Sequence, residues 1–257
     1  MTGSSQSHWL SSGMARVLIT GSAGGLGLNA AKELIRLGHE VVLHARNESR
    51  LDAVSGLRDQ ARGAVSGNLA DPAEAIRVAE EAESFGPFDA VIHNAGVYRG
   101  PDIFSVNTVA PYVMTAVMGR PRRIVYLSSG MHHSGSTDLA TVDWADATGR
   151  PGAYSDSKLY VTALAAAVAV RWPEVASNAV DPGWVPTRMG GPGAPDDLEL
   201  GHATQVWLAL DTGNTAGSGG YWFHQQRRKP HPAVDSEAFR AELLDRLEQY
   251  TGIGLPE

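Results

Sequence analysis

The apolar residues of this chain fall into two patterns that alternate from about residue 16 to residue 250. Short continuous runs of Val, Ile and Leu are typical of buried strands, and apolar residues spaced three or four apart are typical of amphipathic helices. The runs predict strands at 16–20, at 40–45, around Val65, in DAVIHNAG, in RIVYLSS, at 176–180 and at 221–223. The spaced segments predict helices at 25–37, in DPAEAIRVAEEAES, and at 103–118, 154–171, 198–210 and 236–250.

Alternation of strands and helices predicts a Rossmann-type, doubly wound α/β fold with a mainly parallel seven-stranded sheet and helices on both faces. No repeat or linker divides the chain, so residues 15–257 are expected to form a single domain. Residues 1–14 lack the charged and apolar regions of a secretory signal and are expected to be a disordered leader. Before the second helix, Asp71 is a predicted N-cap and Glu74 is expected to complete a capping box.

Charge and composition narrow the class of protein. The net charge is −7, and the one short basic run, RRK at 227–229, is interpreted as a solvated turn, which argues against nucleic-acid binding. No apolar run is long enough to span a membrane. The chain has no cysteine, which excludes disulfides and thiolate zinc sites and suits a reducing cytoplasm. We therefore expect a cytoplasmic domain that acts on a small molecule, with no metal site and no nucleic-acid or membrane partner.

The segment TGSAGGLG, residues 20–27, joins a predicted strand to a predicted helix. In that context glycines let the backbone approach a pyrophosphate, and the helix N-terminus supplies free N–H groups. The glycines fit two registers, which point to different enzymes. Gly21, Gly25 and Gly27 form TGxxxGxG, whereas Gly21, Gly24 and Gly27 form TGxxGxxG.

The end of the second predicted strand indicates which dinucleotide the loop would bind. Enzymes that use NAD usually carry an acidic residue there, but this chain has Ala45 followed by Arg46. A guanidinium can bind the 2′-phosphate of NADP in a bidentate manner. The sequence therefore favours NADP(H) over NAD, with a solvated turn arginine as the alternative interpretation of Arg46.

Two candidate catalytic residues lie at the start of the helix predicted at 154–171. Tyr154 and Lys158 are four residues apart and share one helix face. An ammonium group near a phenol favours the phenolate, so this pair suits acid–base catalysis near neutral pH. Further motifs end other strands at the same edge of the sheet: NAG at 94–96, the serine pair Ser128 and Ser129, and DPGWVPT at 181–187.

Taken in order, these motifs resemble the short, single-domain branch of the short-chain dehydrogenase/reductase family, over about residues 16–223. The resemblance implies the TGxxxGxG register and an NADP-dependent oxidoreductase that interconverts a ketone or aldehyde with an alcohol by hydride transfer. It implies that Tyr154 is the general acid/base and that Ser129 polarises the carbonyl. Lys158 would hold the nicotinamide ribose and lower the tyrosine pKa, and Asn107 would position a relay water. The other cofactor-binding residues it implies are Gly21, Ser22, Gly25, Leu26, Gly27, Arg46, Asn68, Leu69, Asn94, Ala95, Gly96, Pro182, Gly183, Val185 and Thr187.

The chain departs from the family pattern in three places. Only ten residues separate Gly96 from Asn107, which is fewer than in most members of the family, and the helix that follows is short. That helix usually forms the oligomer interface in the family, so the sequence leaves the oligomeric state open. Asn68 stands where an aspartate is usual. The segment between Ser129 and Tyr154 is long, and long loops often carry function. Residues expected to shape a substrate pocket are Met131, His132, His133, Trp144, Trp184 and Met189, with Met131 and Trp184 preferred.

Several alternatives stay open. Asn107 could make a purely structural bond, and Ser129 could simply bond at the strand end. A sugar-nucleotide epimerase or dehydratase shares the Tyr154 and Lys158 pair and the TGxxGxxG register, but it needs a separate substrate lobe, for which too few residues follow 206. A regulator that senses NADP without turnover would be favoured by a broken catalytic set, and here Asn107, Ser129, Tyr154 and Lys158 are all present.

Overall fold

A computed structural model of the protein describes residues 13–211 and 215–257, so most of the leader expected at 1–14 lies outside the described residues. The strands are β1 (Arg16–Ile19), β2 (Glu40–Ala45), β3 (Gly63–Ser66), β4 (Ala90–His93), β5 (Arg123–Leu127), β6 (Ala176–Asp181), β7 (Tyr221–Phe223) and β8 (Gln226–Arg228). The α-helices are α1 (Gly25–Arg36), α2 (Glu48–Asp52), α3 (Ser55–Arg58), α4 (Pro72–Glu83), α5 (Ala110–Val117), α6 (Ala153–Arg171), α7 (Leu198–Leu210), α8 (Pro232–Asp235) and α9 (Glu237–Thr251).

The strands form one sheet in the order β3-β2-β1-β4-β5-β6-β7-β8. All neighbouring pairs are parallel except β7 with β8. The strand order reverses between β1 and β4, and in such sheets ligands bind in the crevice beyond the carboxyl ends of the strands at that point. This confirms the doubly wound fold and places the predicted motifs around one crevice.

The prediction of seven strands was wrong, because the described residues contain an eighth. His224 and Gln225 both have positive φ, so the chain turns back and pairs Tyr221 with Arg228. The basic run at 227–229, interpreted from the sequence as a turn, therefore lies partly in the edge strand β8. All three β8 residues are exposed and polar, so the strand has no apolar pattern to reveal it.

Both faces of the sheet are covered by helices, as predicted. Along β1, Val17 and Ile19 point into a core shared with α1 and α7, while Leu18 points into the core on the opposite face. That second core includes α4, α5, α6 and α9. This alternation is the two-residue period of a strand buried on both sides. No helix in the described residues is long and apolar enough to cross a membrane.

Two helix starts differ in detail from the sequence-based prediction. The Asp71 side chain caps α4 by accepting a hydrogen bond from the Ala73 N–H, but Glu74 pairs with Arg77 instead of closing a capping box. The helix predicted at 103–118 contains a π-helical segment, Ser105–Val109, before α5. Asn107 lies within this π-helical segment, and such segments often occur at functional sites.

Candidate active site

The geometry of the glycine loop between β1 and α1 distinguishes the two registers. Gly21 and Gly25 have φ values of +67° and +56°, in the left-handed region that favours glycine. A Cβ atom on Gly27 would lie 2.3 Å from the Asn94 amide nitrogen, so no side chain fits there. Gly24 has an extended backbone, and a Cβ atom there would meet nothing within 4 Å. The three glycines of TGxxxGxG are thus required by the geometry, and Gly24 is not.

The N-terminus of α1 is suited to an anion. Its N-cap is Gly24, which has no side chain to accept from the first N–H groups, and the first turn contains no acidic residue. The free N–H groups and the helix dipole therefore face the crevice without a negative partner on the helix itself. A Cβ atom on Gly25 would lie 3.8 Å from the Thr187 side chain, so the glycine loop and the segment after β6 enclose this space together.

His44, on β2, supports the glycine loop and was not predicted. Its Nδ1 accepts a hydrogen bond from the Gly21 N–H at 3.0 Å, and its Nε2 lies 3.1 Å from the Gly67 carbonyl oxygen, to which it donates. Burial lowers the pKa of His44 to about 4, so the ring is neutral and can keep this accepting nitrogen. The sequence did contain a signal for this role, because His44 is a polar residue inside an otherwise apolar strand.

Asn94, in the NAG motif, ties the loop after β4 to the glycine loop. Its amide nitrogen donates to the carbonyl oxygens of Thr20 and Gly21, at 2.9 and 3.3 Å. The Thr20 hydroxyl in turn accepts from the Ala95 N–H. Gly96 lies close to the catalytic candidates, since a Cβ atom on it would be 3.6 Å from the Lys158 Nζ. These contacts show why the two motifs occur together.

Other predicted cofactor residues have varied surroundings. The Ser22 hydroxyl is buried and bonds only to the His44 backbone, so this side chain does not face the crevice. Leu69 is buried, whereas Asn68 is exposed and accepts from the Ala70 N–H. Arg46 is exposed directly after β2.

The segment after β6 begins with a turn at Gly183. Gly183 has a φ of +80°, and its N–H donates to the Asp181 carboxylate at 2.9 Å. Val185 is buried, and Thr187 is half-buried opposite Gly25. Trp184 is 59% exposed, and its indole N–H donates to the Gly190 carbonyl oxygen.

Tyr154, Ser129 and Lys158 meet at the carboxyl edge of the sheet. The Ser129 hydroxyl lies beside the Tyr154 hydroxyl and acts to lower its pKa. The Lys158 Nζ lies 5.6 Å from the centre of the Tyr154 ring and donates to the Leu127 carbonyl oxygen at 2.8 Å. The structure therefore brings together the three residues that the sequence placed in the chemistry.

The pKa shifts of this group differ from the sequence-based expectation. Burial raises the pKa of Tyr154 to about 12, and the neighbouring Ser129 side chain only partly opposes the shift. Burial also lowers the pKa of Lys158 to about 8, against the effect of the Asp181 carboxylate. The pKa of Tyr154 is raised instead of lowered, because desolvation disfavours the charged form of each group and Lys158 is not among the residues that shift the tyrosine. Tyr154 keeps its proton at neutral pH.

The neighbouring serine has a different role from Ser129. Ser128 is buried, and its hydroxyl lies 2.6 Å from that of Thr162 on α6. Ser129 caps the short 3-10 helix Gly130–Ser134 by accepting from the Met131 N–H, and its side chain remains beside Tyr154. Of the two serines, only Ser129 is available to a substrate.

The Asn107 side chain is fully engaged within the protein. Its amide nitrogen donates to the Val97 carbonyl oxygen and to the Ser157 hydroxyl, at 2.9 and 3.0 Å, and its Oδ1 accepts from the Val97 N–H. These three bonds favour the structural role that the sequence left open. Asn107 fixes the loop after β4 against α6, next to Lys158.

A cavity of about 560 Å³ opens beside Tyr154. It lies between the loop after β4, the start of the 3-10 helix and the loop before α6, and Met131 is one of the residues that line it. Trp184 is not among its lining residues. Trp144 was wrongly expected at the pocket, because its ring packs in the core against Phe104 and Tyr160.

The adjacent histidines of the long loop also differ from the prediction. His132 is fully buried: its Nδ1–H donates to the Ser129 carbonyl oxygen at 2.8 Å, and its Nε2 accepts from the His231 N–H at 3.0 Å. It therefore connects the serine loop to α8 and does not face a substrate. His133 is exposed, with its ring centre 4.0 Å from that of His132. The described residues contain no group of three or more side chains that could hold a metal ion.

The order of strands, the glycine loop and the crevice define a Rossmann-type nucleotide-binding protein. A family model described as short chain dehydrogenase matches residues 15–197. The short-chain dehydrogenase chry4 of Gibberella zeae is 37% identical over 258 residues, which cover 95% of this chain and 99% of that protein. The chain belongs to the short-chain dehydrogenase family, a family of oxidoreductases.

Two solved structures show the same fold. A protein from Mycobacterium paratuberculosis superposes with a TM-score of 0.80 at 22% identity, over 95% of each chain. A blue fluorescent protein from a metagenomic library, solved in complex with NADPH, superposes with a TM-score of 0.67 at 20% identity, over 81% of this chain and 95% of that one. The second structure shows that a protein of this architecture binds NADPH.

Proposed function

We propose that this protein is an NADPH-dependent reductase that converts a ketone or aldehyde into an alcohol. The observation that carries the proposal is the position of Ser129 beside Tyr154, with the buried Lys158 Nζ 5.6 Å from the centre of the Tyr154 ring, at the open edge of the sheet. The reverse oxidation uses the same groups. The raised pKa of Tyr154 favours the reductive direction at neutral pH, because a general acid must carry its proton when the reaction begins.

The roles of the three side chains follow from their chemistry. NADPH, when bound, supplies the hydride that reaches the carbonyl carbon. Ser129 donates a hydrogen bond to the carbonyl oxygen as negative charge develops there, and Tyr154 transfers its proton to that oxygen. Lys158, with a pKa of about 8, is mostly an ammonium at neutral pH and stabilises the phenolate that Tyr154 leaves behind.

The residues of the crevice fit a nicotinamide dinucleotide. The left-handed Gly21 and Gly25 and the uncapped N-terminus of α1 suit a pyrophosphate. Asn94, Ala95, Gly96, Pro182, Gly183, Val185 and Thr187 surround the rest of the crevice, where we assign the nicotinamide half. Lys158 would hold the nicotinamide ribose through its ammonium group.

The phosphorylated form of the cofactor is supported by the end of β2. Arg46 is exposed there, and the nearest carboxylates in sequence, Glu48 and Asp52, pair with Arg58. A guanidinium in this place can bind a 2′-phosphate, and the buried Ala45 offers no carboxylate to a ribose hydroxyl. We therefore assign NADPH in preference to NADH. A cytoplasmic location and the possibility of an oligomer remain predictions from the sequence.

The alternative functions are less well supported. A sensor without turnover does not require Ser129 and Lys158 to gather at Tyr154, yet all three meet here. An epimerase that acts on sugar nucleotides needs a substrate lobe beyond the sheet. The described residues after α7 instead form the β7–β8 hairpin and two helices that pack on the sheet domain. The family assignment also favours a dehydrogenase or reductase.

Tyr154→Phe tests the proposed function. We expect the variant to lose oxidation of NADPH by about 10²-fold or more with any carbonyl compound that the wild type reduces, because the phenyl ring has no proton to transfer. NADPH binding, followed by quenching of intrinsic fluorescence, should change little. A panel of ketones and aldehydes assayed with both cofactors provides the substrate. Full turnover by the Phe variant would overturn the mechanism.

A further inference from the structure

One wall of the cavity beside Tyr154 is apolar and exposed to solvent. Tyr98 and Met131 are 40% and 44% exposed, and Ile103 and Ala153 also line the cavity. Exposed apolar side chains gathered at one cavity are typical of a ligand site, because a bound apolar group removes them from water. The Tyr98 ring packs edge-on against the Tyr154 ring, with 4.7 Å between their centres. A ligand on this wall therefore reaches the catalytic hydroxyl.

Both charged residues that line the cavity are arginines, and no carboxylate lines it. Arg150 is already occupied: its Nε donates to the Asp156 carboxylate at 2.8 Å, and its Nη1 donates to the Thr141 carbonyl oxygen. Arg99 is exposed and lies over the Tyr98 ring, with its Cζ 5.6 Å from the ring centre. Within the described residues Arg99 forms no ion pair, and residues 1–12 and 212–214 contain no Asp or Glu.

Arg99 thus leaves a positive charge at the cavity of a protein whose net charge is −7. A guanidinium binds a carboxylate with two parallel hydrogen bonds, which is the geometry that best satisfies its donors. The Arg99 guanidinium and the Tyr154 ring both lie against the Tyr98 ring, with 5.6 Å from the Arg99 Cζ and 4.7 Å from the Tyr154 ring centre to the centre of the Tyr98 ring. These two distances limit the separation of Arg99 and Tyr154, so a ligand no longer than one substituted ring can contact both. A flat ring would pack on the aromatic wall with little loss of conformational freedom.

We propose that Arg99 binds the carboxylate of the substrate, and that the preferred substrates are aromatic carbonyl compounds with a carboxylate across the ring from the reacting carbonyl. This inference rests on the proposed function for the position of the carbonyl. It adds a substrate class and a specificity-determining residue. Arg99 acts on binding and takes no part in the proton transfer.

The test compares two probes of equal shape, 4-acetylbenzoate and the neutral 4-acetylbenzamide. Their dissociation constants are measured by calorimetry with NADP⁺-saturated protein and again without cofactor, so that no turnover is required. We expect the wild type to bind the acid about tenfold more tightly than the amide, since a hydrogen bond to a charged group contributes about 1.5 kcal/mol. Added salt should weaken binding of the acid only.

Arg99→Gln should remove the preference for the acid and leave the dissociation constant of the amide unchanged. The matched control is Arg122→Gln, because Arg122 is also exposed but directly precedes β5, at the opposite end of that strand from Ser129; this variant should retain the preference. Equal binding of the two probes by the wild type, failure of both to bind, or a preference that survives Arg99→Gln would overturn the inference. Because the readout is binding, full turnover by Tyr154→Phe, or no turnover of any carbonyl compound by the wild type, would count against the proposed function and not against this result.

Discussion

At the scale of single residues, the two serines after β5 show the limit of pattern reasoning. Side chains alternate between the two sides of a strand, so the sequence indicates that only one of Ser128 and Ser129 faces the crevice. The choice of Ser129 came from the family resemblance. The structure supplies the physical reason, since the Ser128 hydroxyl is buried against Thr162.

The Tyr154 pKa illustrates a second limit at this scale. The four-residue spacing to Lys158 was enough to predict that the two side chains lie close together. It was not enough to predict the sign of the shift, because the sequence does not report how deeply the phenol is buried. Desolvation raises the pKa of Tyr154 and is the largest of the effects acting on it.

Arg46→Ala tests the assignment of the cofactor. Removal of the guanidinium should weaken NADPH binding by about tenfold or more and change NADH binding little, because only NADPH carries the 2′-phosphate. Both dissociation constants can be measured by fluorescence titration. Arg227→Ala, at an exposed position on the edge strand β8, is the control and should affect neither cofactor. An equal loss for NADH and NADPH in Arg46→Ala would contradict the assignment.

At the scale of elements, the long segment between β5 and α6 has two different parts. Met131, at its start, lines the cavity, whereas Trp144, further along, belongs to the core. The sequence could not separate them, because a tryptophan in a loop suits packing and recognition equally well. His132 fixes the serine loop by bonding to the Ser129 carbonyl oxygen and to α8.

His132→Phe should destabilise the protein by about 1 to 3 kcal/mol. The phenyl ring keeps the aromatic packing but leaves the His231 N–H without an acceptor, and an unsatisfied polar group has a cost of that size. The Ser129 carbonyl oxygen retains its bond from the His132 backbone N–H. Chemical denaturation measures the change in unfolding free energy.

The neighbouring histidine offers a matched control for that experiment. His133 is exposed, and its ring lies beside that of His132, so His133→Phe should change the unfolding free energy by less than about 0.5 kcal/mol. Equal stability of the two variants would show that the bond to His231 is not important. If His132→Phe reduced the carbonyl substrate more slowly than the wild type but had normal stability, the role of His132 would be to position Ser129 alone.

At the scale of the whole molecule, the buried histidines couple stability to pH. Burial lowers the pKa of His44 and of His132 to about 4 and that of His93 to about 3. An unfolded histidine has a pKa of about 6.5, so between about pH 6.5 and pH 4 the unfolded chain binds protons that the folded chain does not. Stability is therefore greatest above pH 6.5 and falls as the pH decreases through this range.

We expect the unfolding free energy to fall by about 3 kcal/mol or more per pH unit near pH 5, since each of these three histidines contributes up to about 1.4 kcal/mol per unit. Urea denaturation at pH 7, 6 and 5 measures the slope. In His44→Asn the slope should be smaller by about 1.4 kcal/mol per pH unit, whatever its stability at pH 7. A flat dependence between pH 7 and pH 5 in the wild type would contradict the prediction.

By itself, the sequence determined the alternation of strands and helices, the parallel fold and the family motifs. These depend on local apolar spacing and on short segments that can be read in order along the chain. The tertiary structure alone decided that Gly24 is the dispensable glycine, that Asn107 and His132 bond within the protein, and that β8 exists. It also decided that Arg99 lies over the Tyr98 ring, which packs against Tyr154. Each of these depends on contacts between segments that are distant in sequence or on the direction of a side chain, which local patterns do not encode.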